Sequence, residues 1–182
     1  MSAVFKDSWA WQNKRTPVIS GGIGDDLVKA RCRQMSPPVL TYSPDTGCDQ
    51  GVDFMSLSKG GGVLKVQVVS GCPHGPAGFV INKPCEAILE LIDIVAVYIN
   101  FDGSDSKDQA VKNHHSQDHF FILPRCVYGD ERMYKYYHNT ETSWNVNLNK
   151  KLKKPLDVAY NAFHLFDYTA EQHQDQLEIF FD

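Results

Sequence analysis

The sequence predicts an α/β domain with a central mixed sheet of four to five strands flanked by helices. Three observations predict it. Apolar, β-rich runs recur at "VLTY", "VDFMSL", "VLKVQVV", "IDIVAVYI" and "HFFILP". Helical spacing brackets them, in "GDDLVKARC" on one side and in Leu156, Ala159, Phe163 and Phe166 on the other. A length of 182 residues fits one domain with a sizeable core.

Taken in order, the first helix is expected from about Gly24. Asp25 and Asp26 would then occupy its first turn, where carboxylates suit the positive end of the helix dipole. Leu27, Val28, Ala30 and Cys32 give it an apolar side, and Ser36, Pro37 and Pro38 stop it. "VLTY" reads as a short strand and "SPDTGCDQG" as a loop of turn formers. "VDFMSL" and "VLKVQVV", joined by "SKGGG", read as a hairpin. "CPHGPAG" reads as irregular, and Ile92 to Phe101 as a β-branched run fit for a buried strand. A polar stretch, "DGSDSKDQAVKNHHSQD", reads as an exposed loop before the last apolar strand, which Pro124 ends.

Composition narrows the function classes. Hydrophobic residues make up 42% and charged residues 22%, values of a globular protein. The net charge of −4 supplies no global basic field, so a polyanion would have to meet a local patch. No apolar run approaches the ~20 residues that span a bilayer. The five cysteines are odd in number and scattered, which suits free thiols and an intracellular, reducing compartment.

One polar residue stands inside an otherwise apolar strand. In "VLKVQVV", Leu64, Val66 and Val68 point one way, while Lys65, Gln67 and Val69 point the other. Asp53 begins the preceding strand, across the glycine turn. A carboxylate and an amide oxygen on neighbouring strands can converge on a hard cation such as magnesium, which takes oxygen ligands. The same residues also fit a plain hairpin, with Asp53 capping a turn and Gln67 satisfying buried backbone groups.

In order and spacing, "GIGDDLVKARC", "GVDF", "VLKVQVVSG", "IDIVAVYI" and "HFFILP" resemble the core of the PD-(D/E)XK, or restriction-endonuclease-like, nuclease superfamily. The resemblance covers about residues 20–125 and leaves about 126–182 as a C-terminal extension of one domain. It implies magnesium-dependent hydrolysis of DNA phosphodiesters, with DNA favoured over RNA. Asp53 matches the metal-binding aspartate, Gln67 the (E/Q) of the (E/Q)xK strand, and Asp25 or Asp26 the helix acid. The motif lysine is replaced by Val69. Two lysines could stand in, Lys65 on the Gln67 face and Lys83 in "INKP". The competing reading is a nuclease fold without catalysis, acting as a nucleic-acid-binding or scaffolding subunit of a larger assembly; on either reading the partners expected besides DNA are a second copy of the chain or a larger complex.

Two stretches could hold nucleic acid. "YGDERMYKYYHNTETSW" interleaves tyrosines with Arg132 and Lys135, and aromatic faces stack on bases while cations meet phosphates. The same tyrosines would serve equally to pack a sheet. "KKLKKP" offers Lys150, Lys151, Lys153 and Lys154, for a DNA backbone or for solubility. His114, His115 and His119 are close enough in sequence for zinc, but their polar surroundings favour a solvated loop.

Overall fold

The central sheet grows from one hairpin. Strands β2 (Phe54–Leu57) and β3 (Val63–Ser70) pair antiparallel in the register Phe54↔Val66, Met55↔Lys65, Ser56↔Leu64 and Leu57↔Val63. Their turn is closed by Ser58 N donating to Gly62 O at 2.9 Å, and Gly61 takes φ +82°, which a side chain would resist. The computed structural model describes residues 17–43, 51–75, 77–82, 84, 86–136, 138–140 and 143–182, with side chains given outside 17–22 and 134–140.

Around the hairpin the sheet runs β1-β2-β3-β6-β7, with β1 (Leu40–Tyr42), β6 (Ile94–Asn100) and β7 (Asp118–Pro124). β3 and β6 are parallel and every other pair is antiparallel. The β3–β6 crossover holds β4 (Cys72–Pro73), β5 (Gly78–Asn82) and a short helix, α2 (Glu86–Leu89). Residues Ile94 to Ile99 of β6 are all buried, as expected of a strand covered on both faces.

Helix α1 (Pro17–Gln34) begins seven residues earlier than the sequence predicts, so Asp25 and Asp26 lie mid-helix and not in its first turn. Proline is at home in the first helical turn, where its missing N–H has no intrahelical partner anyway. The glycines that suggested a helix entry lie inside the helix. A Cβ on Gly24 would meet Tyr98 Cδ1 at 3.1 Å and Val68 Cγ1 at 3.2 Å. The bare Cα there lets α1 lie close on β3 and β6.

The polar stretch before β7 is packed, not loose. It contains α3 (Gln109–Lys112), capped by Asp108 Oδ1, which accepts from Ala110 N and Val111 N. Val111, Ser106 and Asp108 are buried. After β7 come α4 (Arg125–Tyr128) and α5 (Glu131–Tyr136), then β8 (His138–Thr140) and β9 (Ser143–Asn147). These last two strands join a second antiparallel sheet, ordered β4-β5-β9-β8. Phe79 of this sheet meets Phe101 edge-on, with ring centroids 5.8 Å apart, and Trp144 lies on Tyr128 at 4.2 Å.

The chain ends in α6 (Leu156–Ala159), a 3-10 turn Phe163–Asp167, α7 (Ala170–Asp175) and a 3-10 turn Leu177–Phe180. Phe166 stacks on Phe54 at 6.3 Å, and Phe163 meets Phe120 at 5.4 Å. Phe54, Phe120 and Phe166 are essentially fully buried, each contributing about 1.5–3 kcal/mol from the area removed from water. Among the described residues no helix is long and apolar enough to cross a membrane.

Candidate functional site

Where β2 begins, its pairing with β3 is irregular. Asp53 N donates to Val66 O at 2.9 Å, while the register sets the next residue, Phe54, opposite the same Val66. Two residues of one strand thus face one of its neighbour, the arrangement of a β-bulge, which re-aims the side chain it carries. The Asp53 carboxylate turns onto β3, where Oδ2 accepts from Val68 N at 2.5 Å. It thereby sits on the peptide that joins Gln67 to Val68, at the end of the β2–β3 ladder.

Gln67 itself is half-buried, and among the described residues its buried Oε1 has no hydrogen-bond partner. The hydroxyl oxygens of Thr41 and Ser56, in the same sheet, share that state among the described residues. A strand residue whose only task was to satisfy buried backbone would be bonded, because an unmade buried acceptor costs about 1–3 kcal/mol. The Asp53 carboxylate and the Gln67 amide offer oxygen donors only, the kind a hard divalent cation takes, usually one or two from the protein. Among the described residues no group of three or more His, Cys, Asp and Glu side chains gathers as a metal site.

Val68 faces α1, since it meets Gly24, so alternation sends Lys65, Gln67 and Val69 to the other face. The predicted helix acid, Asp25, follows Gly24 on the Val68 side. Its side chain is 22% exposed, and among the described residues its buried Oδ1 has no partner. Burial pushes its carboxyl above the usual aspartate range, against the pull of the Lys29 ammonium 2.6 Å from Oδ2. Lys29 also donates to Ser43 Oγ at 3.0 Å and lies 5.9 Å from the centroid of the Phe54 ring, the residue after Asp53. Lys29 and Asp25 thus form an ion pair within one helix. Their spacing of four sets them on neighbouring turns of its surface.

No family model matches the chain, and no curated protein does. Among solved structures it is similar to a bacterial homing endonuclease, I-Ssp6803I, with a TM-score of 0.58 at 15% identity over 88% of this chain and 98% of that one. The fold is similar to an endonuclease fold. At that identity the likeness concerns the backbone arrangement, and the site must be argued from its own residues.

The remaining candidates separate clearly. Lys65 is exposed on the Gln67 face, and its backbone is clamped by Asp93, whose Oδ2 accepts from Lys65 N at 2.8 Å. Lys83 lies outside the described residues, as does the side chain of Lys135. Arg132 is committed within the fold. It pairs with Asp130 at 3.0 Å and Glu178 at 2.8 Å and lies over the Phe181 ring at 4.1 Å. Lys150, Lys151, Lys153 and Lys154 are exposed between β9 and α6. Of the tyrosine-rich stretch, Tyr128 is buried against Trp144, the packing alternative.

His114, His115 and His119 do not gather as a metal site among the described residues. His119 stands in β7, fully buried, with Nε2 3.0 Å from Phe101 O and Nδ1 2.7 Å from Tyr160 OH. Both ring nitrogens are therefore occupied. His114 Nδ1 accepts from Ser116 N at 3.1 Å, and His115 is exposed.

Proposed function

We propose that this chain is a DNA endonuclease that depends on a divalent metal ion, with Asp53 and Gln67 as the side chains that hold the ion. The observation that carries the reading is the buried, partnerless Oε1 of Gln67 on the strand whose next peptide holds the Asp53 carboxylate. The likeness to a homing endonuclease supports it at the level of the fold and suggests DNA as the substrate. When bound, magnesium would neutralise charge on the scissile phosphate and ready a water for attack. The chain's own part is to aim the carboxylate: the bulge turns it, and the Val68 N–H fixes one of its oxygens. Lys150, Lys151, Lys153 and Lys154 are proposed to meet the phosphate backbone.

The second reading, a nuclease fold serving as a binding or scaffolding subunit, draws on Val69, which cannot hold water or stabilise negative charge. Nicking of supercoiled plasmid with and without magnesium decides between them. The enzyme reading expects magnesium-dependent nicking that falls about 10²-fold or more in Asp53→Ala, the several kcal/mol that a metal's charge supplies. Nicking that survives Asp53→Ala, or none from the parent, leaves the subunit reading.

A further inference from the structure

We propose that the outer face of the second sheet reads base edges in the major groove of duplex DNA, with Asn145 and Asn147 of β9 as the reading side chains; this rests on the DNA-binding part of the reading above.

The sheet has one apolar face and one amide face. Phe79 and Ile81 of β5 and Trp144 and Val146 of β9 are buried against the rest of the fold. Alternation turns Val80 and Asn82 of β5 and Ser143, Asn145 and Asn147 of β9 outward, and the three asparagines are exposed. On the β5 side the register sets Gly78 opposite Asn147 and Val80 opposite Asn145, so nothing larger than valine stands across from either amide. The chain carries 22 Asp and Glu, yet none of the four strands contains one: β4 is "CP", β5 "GFVIN", β8 "HNT" and β9 "SWNVN". A face that only met solvent would carry its share of carboxylates; one that lies on a polyanion has reason not to.

The dimensions suit a groove. The major groove is about 12 Å wide and admits a two-stranded ribbon. β5 and β9 form the central pair, with strands of only two and three residues beside them. Side chains two apart on an antiparallel strand are about 6.8 Å apart, from a rise of about 3.4 Å per residue. That is twice the spacing of successive bases, about 3.4 Å. Asn145 and Asn147 thus match bases two steps apart. An asparagine amide is complementary to adenine, its oxygen accepting from N6 and its NH2 donating to N7. Asn147 is already oriented, because its Oδ1 accepts from Asn149 N at 3.0 Å, and a carbonyl oxygen keeps a second lone pair.

Both ends of the face connect it to surfaces already described. Beyond Asn147 the chain turns, with Lys150 N donating to Asn147 O at 3.3 Å, and enters the exposed Lys150, Lys151, Lys153 and Lys154. Asn82, opposite Ser143 at the other end, leads into α2, whose Ile88 would meet a Cβ on Gly51, just before Val52 and Asp53, at 2.8 Å. The amide row therefore runs between the lysines that would hold phosphate and the proposed cleavage site.

The test is selection of bound duplexes from a random-sequence DNA pool in EDTA, where nothing is cut, with salt-dependent binding and thermal melting measured beside it. The parent should enrich a site with adenines two steps apart. Asn145→Thr/Asn147→Thr puts β-forming residues at exposed strand positions, so melting should hold. Its affinity for the selected duplex should fall about 5- to 150-fold per position, with the salt slope unchanged. A fresh selection with that variant should lose the preference at those two bases alone. Should the double variant melt lower, Asn145→Thr and Asn147→Thr decide singly, each losing the preference at its own base. A parent that enriches no sequence, or a preference unchanged in the variants, overturns the proposal. So does an affinity loss equal on selected and random duplexes, because the face then meets backbone only. The nuclease reading fails separately, on nicking that is absent in the parent or indifferent to Asp53→Ala. A base preference that these variants erase survives that failure and marks a DNA-binding subunit.

Discussion

Gln67 carries a buried amide oxygen with no donor on it among the described residues, and leucine at that position would remove the unmade bond while keeping much of the volume. Gln67→Leu is therefore expected to leave stability unchanged or raise it by about 1 kcal/mol, while nicking is lost. Asp53→Ala should do the opposite to the fold. It strips the acceptor from Val68 N–H and should cost about 1–3 kcal/mol in urea unfolding. If both variants lose stability alike, Gln67 is packed as structure and the functional reading of its orphaned oxygen is wrong. The histidines give a second expectation. Burial holds His119 and His173 below the usual histidine range in the folded chain. The unfolded chain takes up protons from about pH 6.5 downward, where the folded chain resists them. Stability should be full above that pH and decline as pH falls toward the lower folded pKa values. A denaturant midpoint that moves equally with pH in the parent and in His119→Gln/His173→Gln would remove these two rings as the cause.

At the scale of elements, α1 packs on the strand that carries the proposed site. The helix seats Asp25 and Lys29, and its height above β3 is set by the bare Cα of Gly24. Gly24→Val should force the helix off Val68 and Tyr98, costing about 1–3 kcal/mol, with a larger proportional loss of nicking than of stability. Equal losses would mean that α1 supports the fold without positioning anything. The β2–β3 hairpin was legible in the sequence because a glycine turn sets register locally, and with it the neighbourhood of Asp53 and Gln67. The contact of Lys29 with Ser43 was not, because it depends on where a helix lands on the sheet, which no local pattern encodes. The start of α1 was misplaced for a related reason: glycine usually opens or ends a helix, and here close packing retains it inside one. The second sheet was also hidden. Its strands β5 and β9 are short, and the register Ile81↔Trp144 joins residues more than sixty positions apart.

Across the whole molecule the charge is mildly acidic, so binding to a polyanion must come from a built surface and not from the global field. The loop of Lys150, Lys151, Lys153 and Lys154 has the construction of such a surface. Leu152 in its middle is buried, with its N–H donating to Asp108 Oδ2 at 2.8 Å, while the other oxygen of the same carboxylate caps α3. Ser106 Oγ donates to Leu148 O nearby. A loop pinned at its centre presents the flanking lysines outward in a fixed arrangement, so less ordering entropy is lost when they meet phosphates. Replacing all four by glutamate should abolish retention of duplex DNA, and the salt slope should lose about one unit for each lysine that had met a phosphate. Melting temperature should hardly move, because the four side chains are exposed and Leu152 keeps its anchor. Asp108→Ala supplies the contrast: it frees the loop without removing a positive charge. If order matters, Asp108→Ala weakens binding while the salt slope stays near that of the parent. An unchanged slope in the fourfold glutamate variant would assign these lysines to solubility and send the search for the DNA-binding face elsewhere on the molecule.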